Sequence, residues 1–151
     1  NYAMDILDSS RIIIAAQCVG IGQSALEAAV RYAQQRETFG KPIAQHQAIQ
    51  FMLAEMATAV HGARIATMNA ATLKDEGLPF VNEASMAKLI ASEMCVDVSS
   101  KAMQVHGGIG YFQDAGVERI FRDARVTTIY EGTSEVQKLI IARQILAQYP
   151  L

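Results

Sequence analysis

Apolar residues recur at three- and four-residue spacing along three long stretches of the chain, which is the period of a helix that buries one face. These stretches cover residues 8–35, 45–75 and 81–105, the third beginning at position 81 or 82, and a shorter amphipathic piece covers 115–124. Glycine and proline fall in the connections between them, at 39–42, 76–79 and 107–110. The pattern therefore predicts helices joined by short loops.

A last helix is predicted to begin just after Glu131 and Gly132. Ser134 and Gln137 have the spacing of a capping box, with Thr133 as the competing N-cap. The glycine lets the backbone turn sharply beside the acid. A carboxylate in this position either complements the helix dipole or serves as a general base aimed into a cleft, and the local pattern leaves both interpretations open.

The first long helix has three candidate N-caps, Asp8, Ser9 and Ser10, and two internal glycines, Gly20 and Gly22. Glycines at these positions favour the close approach of a neighbouring helix over a break. Three long helices, a short one and a capped last helix predict an all-α fold, an up-down four-helix bundle with a short extra helix before the last one.

Composition narrows the classes of function. The 151 residues suit one domain, 51% of them are apolar, and the net charge of −2 comes without a basic cluster, which gives no support for nucleic-acid binding. No uninterrupted apolar run reaches ~18 residues and no signal peptide is evident, so we expect no membrane association. Cys18 and Cys95 lie in helical patterns without a CxxC spacing, and we expect both to be buried thiols of a reducing compartment.

A metal site is not expected, because no Glu-x-x-His pair occurs and His46, His61 and His106 lie far apart along the chain. Neither cysteine has the exposed, electropositive setting of a reactive thiolate. The glycine cluster at 107–110 is either a helix stop or a set of main-chain amides laid against a phosphate.

Three polar residues stand at bends of the predicted bundle: Arg36, Gln104 and Glu131. Arg36 precedes Phe39 and offers a guanidinium suited to a phosphate or a carboxylate. Taken singly, each residue is more often structural than functional. Their joint position in connections favours a functional interpretation, since binding and catalytic residues collect there.

Five motifs in order carry a resemblance to a known family. They are LDSSR at 7–11, RETFGKP at 36–42, QVHGGIGY at 104–111, RDAR at 122–125 and IYEGTSEVQ at 129–137. With these motifs the whole chain resembles the C-terminal domain of an acyl-CoA dehydrogenase of the short-chain, butyryl type. The resemblance implies that residues 1–151 form the C-terminal helical-bundle domain, and that the N-terminal helical and middle β-domains of the family are absent from this chain.

The resemblance also implies a reaction. Such enzymes are FAD flavoproteins of fatty acid β-oxidation that convert an acyl-CoA to a trans-2-enoyl-CoA. Glu131 matches the base that removes the α-proton while the β-hydrogen leaves as hydride to FAD. Electrons would then pass to an electron-transferring flavoprotein. The base must work where water is excluded, and the amide of Glu131 is a candidate donor to the developing enolate oxygen.

Further residues receive roles only through the resemblance. Those expected to contact FAD, partly across a subunit interface, are Arg36, Phe39, Gln47, Gln104, Val105, His106, Gly107, Gly108, Thr133, Ser134 and Glu135. Those expected near the acyl-CoA are Asp8, Ser9, Ser10, Arg11, Tyr130 and Gly132. One departure is Ser10, where the family more often has glycine. In isovaleryl-type relatives the base sits close to this position; Ser10 cannot act as that base, so the base is placed at Glu131.

Two other interpretations remain open. One is an isolated helical bundle that serves only oligomerisation, without catalytic activity as a fragment. The other is a related acyl-CoA oxidase, which differs in its electron acceptor. The resemblance further implies a homo-oligomer, tetramer or dimer, and a cytoplasmic location, with the mitochondrial matrix as the alternative.

Overall fold

The computed structural model describes residues 2–149, with side chains from residue 7 onward. Its helices are α1 (Tyr2–Gln35), α2 (Gln47–Asp75), α3 (Val81–His106), α4 (Val117–Val126) and α5 (Ser134–Gln148). Two-residue strands β1 (Glu37–Thr38) and β2 (Lys41–Pro42) form an antiparallel hairpin between α1 and α2. Single 3-10 turns cover Ile43–Gln45, Gly107–Tyr111 and Gln113–Ala115. The all-α bundle with a short helix before the last is confirmed.

Helix α3 lies at the centre of the bundle and contacts each of the other four helices. Its partner α1 runs parallel to it, since Arg11 contacts Ser85 near one end and Tyr32 stacks on His106 near the other. The interface between the three long helices is built from small side chains with no exposed surface: Ala15, Cys18, Ala25, Ala29, Ala33, Ala63, Ala70, Ala84, Ala87, Ala91, Cys95, Val98 and Ala102. Small residues let the helix backbones approach closely, and a few larger side chains, such as Met56 and Met94, fill the remaining space.

The predicted helix starts need two corrections. Helix α1 begins at Tyr2, so Asp8, Ser9 and Ser10 lie inside it and none of them is its N-cap. No glycine or proline precedes them to stop the helix. At α5 the cap is the competing residue Thr133, whose Oγ1 accepts from Val136 N, and Ser134 instead donates to Glu93.

The two glycines of α1 differ in their surroundings. A Cβ on Gly22 would lie 2.6 Å from Met94 Sδ and 3.3 Å from Val60 Cγ2, so Gly22 stands where α1, α2 and α3 meet. A Cβ on Gly20 would meet nothing within 4 Å. The predicted close approach is therefore correct at Gly22 and wrong at Gly20, which faces outward.

Helix α1 also changes one expectation about membranes. The sequence has no unbroken apolar run of ~18 residues, but averaged over a window, Leu7–Gln35 is long and apolar enough to span one. The buried core helix of a bundle meets the same criterion, and α1 holds that position beside α3. Length and composition alone therefore do not distinguish the two.

We predict opposite effects for substitutions at the two glycines. Gly22→Val should lower the free energy of unfolding by about 1–3 kcal/mol, because its methyl groups overpack the contact with Met94. Gly20→Ala should raise it by about 0.5–1 kcal/mol through helix propensity. Urea denaturation of the purified chain measures both. Equal effects of the two substitutions would contradict the placement of Gly22 at a helix contact.

Candidate functional site

The connection between α4 and α5 presents Glu131 in a strained backbone conformation. Glu131 has φ +53° and Gly132 has φ +92°, so two successive residues occupy the left-handed region. That region is uncommon for a non-glycine residue. The Glu131 side chain is exposed to solvent, and its main-chain N–H donates to no other group among the described residues. A strained, exposed acid with a free amide is typical of a functional loop.

This loop docks on the first half of α1. Ser10 Oγ lies 2.9 Å from Glu131 Oε2 and 2.9 Å from Leu7 O, so its single proton serves one acceptor at a time. Tyr130 Oη donates to Gln17 Oε1 at 2.7 Å. The structure thus brings together three residues expected near the substrate, Ser10, Tyr130 and Glu131.

Beneath the loop lies a lysine that the sequence analysis did not single out. Lys88 has no exposed surface, and its Nζ donates to Thr127 O and to Gly132 O, each at 2.8 Å. Burial in the bundle lowers the pKa of Lys88 below that of a solvated lysine. Gln137 Nε2 also donates to Gly132 O, at 3.1 Å. The loop that carries Glu131 is therefore held from below by two buried side chains.

Two cysteines also lie in the interior beneath the loop. Cys18 and Cys95 are both fully buried and unpaired, as the sequence predicted. Cys95 Sγ lies 3.3 Å from Thr127 Oγ1. Hydrogen bonding to Cys18 and burial raise the pKa of the Cys95 thiol well above its usual value. Cys95 therefore packs the interior beneath the loop as a neutral thiol, whereas the same hydrogen bond lowers the pKa of Cys18.

Two other residues expected near the substrate are directed into the protein. Asp8 and Arg11 form a buried ion pair within α1. Arg11 Nη1 also lies 3.5 Å from Ser85 Oγ on α3. Ser9, between them in sequence, is half-buried. This pair fastens the first part of α1 to α3. It does not contact the Glu131 loop itself, which is contacted instead by the neighbouring Ser10.

A second cluster of expected residues surrounds a cavity of about 360 Å³ at the other end of α1. Its lining includes Arg36, Val105, His106, Gly107 and Gly108. His106 is packed in place, since its Nδ1 donates to Ala102 O at 2.7 Å and its ring stacks on Tyr32 at 4.3 Å. Arg36 is exposed. An exposed guanidinium beside a glycine turn is a suitable setting for a phosphate.

The remaining expected cofactor contacts fall in three places. Gln104 lines a neighbouring cavity with Gly107, Gly108, Tyr111 and Phe121. Phe39, which is 96% exposed, and Gln47 lie on the surface outside the described cavities. Thr133, Ser134 and Glu135 line a cavity at the start of α5 with Glu93 and Arg125. At this helix start, a hydrogen bond from its own main-chain N–H lowers the pKa of the Glu135 carboxyl.

The two clusters lie at opposite ends of the bundle. Helix α1 is continuous from Tyr2 to Gln35, so Ser10 and Arg36 are separated by about 39 Å at 1.5 Å per residue. The structure therefore does not bring Arg36 and Glu131 into one pocket of this chain.

The histidines and acids show no metal-binding arrangement in the part of the chain that the structure describes. His46 shares a hydrogen bond of 3.1 Å with Thr38 Oγ1, and His61 is exposed on α2. His46 therefore has a hydrogen-bonding role in the loop, and His61 is a surface residue of a helix.

Sequence reasoning missed Lys88, although a signal for it exists. Lys88 lies four residues after Ala84 and three before Ala91, both fully buried, so it occupies the apolar stripe of α3. A lysine on a buried stripe requires a polar partner inside the protein. The sequence does not identify that partner. In the structure it is a pair of main-chain carbonyls, which lie 39 and 44 residues further along the chain.

We predict that Gly132→Ala is more damaging than Gly77→Ala. Both glycines have left-handed φ, +92° and +70°, so each alanine costs about 1–2 kcal/mol in backbone strain. At Gly132 the new Cβ would also lie 2.5 Å from Gln137 Nε2, whereas at Gly77 it meets nothing within 4 Å. Urea unfolding of the two variants should show an extra loss of about 1–3 kcal/mol for Gly132→Ala. Equal losses would mean that the Gln137 contact contributes nothing to the loop.

Comparison with known proteins agrees along almost the whole chain. Residues 1–146 match the family model described as "Acyl-CoA dehydrogenase, C-terminal domain". The chain is 52% identical over 149 residues to the short-chain specific acyl-CoA dehydrogenase, mitochondrial, of Bos taurus, a match that covers 99% of this chain and 36% of that protein. It is 49% identical over 146 residues to the caffeyl-CoA reductase-Etf complex subunit CarC of Acetobacterium woodii, with 97% and 38% covered.

A solved structure gives the same result. Butyryl-CoA dehydrogenase from Megasphaera elsdenii superposes with a TM-score of 0.94 at 44% identity, over 95% of this chain and 38% of that one. The chain therefore spans little more than a third of the length of the relatives that it matches. By sequence and fold, the chain belongs to the acyl-CoA dehydrogenase family and corresponds to the C-terminal domain of its members.

Proposed function

We propose that this chain is the C-terminal helical domain of an FAD-dependent acyl-CoA dehydrogenase, in which Glu131 removes the α-proton of an acyl-CoA thioester. The observation that carries the proposal is the geometry of Glu131: an exposed carboxylate on a strained loop, held from below and hydrogen-bonded on one oxygen. Strained backbone conformations cluster at active sites, and here the strain would hold a base in position for proton transfer.

Ser10 is suited to both protonation states of Glu131. While Glu131 is ionised, Ser10 Oγ donates to Oε2 and leaves Oε1 for the α-proton. Once Oε1 has taken that proton, Oε2 is the carbonyl oxygen of the acid and still accepts from Ser10 Oγ. The same hydroxyl thus keeps the carboxyl group partnered before and after proton transfer. The free N–H of Glu131 is the candidate donor to the thioester oxygen, where negative charge develops.

The residues at the far end of α1 fit a phosphate-bearing cofactor. Arg36 offers an exposed guanidinium, and Gly107 and Gly108 lie beside it with open space where side chains would otherwise stand. FAD, when bound, supplies the acceptor for the β-hydride. Because about 39 Å of helix separates Arg36 from Ser10, we propose that Arg36 and the glycine turn contact the cofactor of another copy of the protein, whereas Thr133 to Glu135 contact that of their own.

The names of relatives support a substrate class and a partner. The bovine and Megasphaera elsdenii proteins are named for short-chain and butyryl substrates, and we propose a short acyl-CoA, converted to a trans-2-enoyl-CoA. A relative named as part of an Etf complex supports an electron-transferring flavoprotein as the electron acceptor. The buried, unpaired thiols suit a reducing compartment, the cytoplasm or the mitochondrial matrix.

A homo-oligomer is proposed from the exposed apolar surface. Large apolar side chains that face outward on α2 and α5 are Phe51, Ile65, Met68, Leu139, Ile145 and Leu146. Faces of this kind are typical of surfaces that another domain or subunit covers. We therefore propose that the enzyme is a homo-oligomer. In the alternative, an isolated bundle without catalytic activity, oligomerisation would be the only function.

We predict that Glu131→Gln in the full-length protein abolishes reduction of bound flavin by butyryl-CoA, because an amide cannot accept the α-proton. Flavin should remain bound, since the substitution keeps the shape of the side chain. Flavin absorbance under anaerobic conditions measures both effects. The matched control is Glu27→Gln on the exposed surface of α1, which should be reduced at the wild-type rate. Normal flavin bleaching in Glu131→Gln would contradict the assignment of the base.

We predict that Arg36→Gln weakens FAD binding by the full-length protein. A hydrogen bond to a charged group contributes about 1.5–3 kcal/mol, which corresponds to roughly 10- to 100-fold in the dissociation constant. Arg64→Gln is the control, because Arg64 is an exposed arginine that donates to Gln23 on α1. Titration of the apoprotein with FAD measures both. Unchanged affinity in Arg36→Gln would remove Arg36 from the proposed cofactor site.

A further inference from the structure

Lys88 is a fully buried amino group that has no carboxylate within ion-pair distance among the described residues. Burying a lysine is costly, so its hydrogen bonds must compensate for the water it has lost. Those bonds do not go to side chains. They go to two main-chain carbonyls, Thr127 O and Gly132 O. The compensation therefore depends on the shape of one loop.

The two carbonyls bracket the segment that carries Glu131. Thr127 is the C-cap residue that follows α4, and Gly132 directly follows Glu131, so one Nζ joins both ends of residues 127–132. Within this span Glu131 has φ +53° and Gly132 has φ +92°. A backbone in that conformation persists only where the surroundings fix it. The two bonds from Lys88 are a restraint of that kind.

One main-chain bond also closes the loop, from Ser134 N to Thr128 O at 3.0 Å. Lys88 differs from it because its Nζ ties both ends of the loop to α3, whereas Gln137 Nε2 donates to Gly132 O only. Lys88 is held on the central helix, between Ala84 and Ala91, which are both fully buried. Its Nζ is thus attached to the central helix of the bundle, while its acceptors belong to the loop.

We propose that Lys88 is a positioning residue for Glu131, whose ammonium fixes both ends of the 127–132 loop and thereby the place of the carboxylate. The inference rests on the proposed function of Glu131 and deepens it. Lys88 touches neither the carboxylate nor the surface that a substrate would reach, so it acts through the main chain. Displacing a base by about 1 Å is enough to slow proton transfer up to 100-fold.

The test uses the full-length flavoprotein with Lys88→Met, which keeps most of the side-chain volume and removes both hydrogen bonds. The rate constant for flavin reduction by butyryl-CoA should fall at least tenfold, while the dissociation constant for butyryl-CoA should stay within about threefold. Met94→Ala is the matched control, because Met94 is a buried residue of the same helix whose side chain lies against Gly22 of α1 instead of the loop. It should lower thermal stability and leave the rate constant within twofold.

Isotope effects separate a positioning role from a general loss of structure. With butyryl-CoA deuterated at Cα, the isotope effect on flavin reduction should rise in Lys88→Met, because removal of the α-proton becomes the slower event. With butyryl-CoA deuterated at Cβ it should not rise. An unchanged rate constant, or equal losses in Lys88→Met and Met94→Ala, would overturn the proposal.

A readout independent of turnover keeps this inference distinct from the proposed function. Amide hydrogen exchange of peptides covering 127–133 should be at least tenfold faster in Lys88→Met, with no change in peptides covering 36–43. If wild-type protein is not reduced by butyryl-CoA, the proposed function fails, and the positioning role falls with it even where exchange confirms the restraint. If exchange in the loop is unchanged, the positioning role fails while Glu131 can still be the base.

Lys88→Gln is the second variant if Lys88→Met does not accumulate as a flavoprotein. It retains a shorter neutral donor, and we expect a rate constant between those of wild type and a protein without any donor. Failure of both variants to fold would show that Lys88 serves the fold as a whole, which would overturn its specific role at Glu131.

Discussion

The parallel pairing of α1 with α3 is the constraint on which the rest of the structure depends. Small side chains such as Ala15, Cys18 and Cys95 hold the two helices close along their length. This pairing sets Ser10 and Lys88 at the same end of the bundle, where both reach the loop before α5. At the opposite end it sets Tyr32 against His106. Two sites about 39 Å apart are thus fixed by one helix interface.

Several buried polar groups lie at the end of the bundle near Glu131. Asp8 and Arg11 pair within α1, Lys88 binds main-chain carbonyls, and Gln137 is fully buried at the start of α5. Replacing such groups with apolar ones is often neutral or favourable for stability. Their presence here fits a requirement for a defined loop shape, since directional hydrogen bonds fix an orientation that apolar contacts leave free.

Much of the site could be predicted from local patterns, and the exceptions have physical causes. Glu131 was recognisable because an acid beside a glycine and a helix start is visible in a few adjacent residues. The N-caps proposed at Asp8 to Ser10 were wrong because residues 2–7 contain no glycine or proline to end the helix, which continues back to Tyr2. Lys88 was visible only as a lysine on an apolar stripe, and its acceptors lie far along the chain.

The sequence by itself determined the helices, their breaks at glycine and proline, and the family, because periodicity and motifs are properties of neighbouring residues. It also determined that an acid precedes the last helix. The tertiary structure decided which groups meet: that Ser10 faces Glu131, that Lys88 and Gln137 share Gly132 O, and that Arg36 lies at the far end. Contacts between distant segments depend on how whole helices pack, and no local pattern encodes that arrangement.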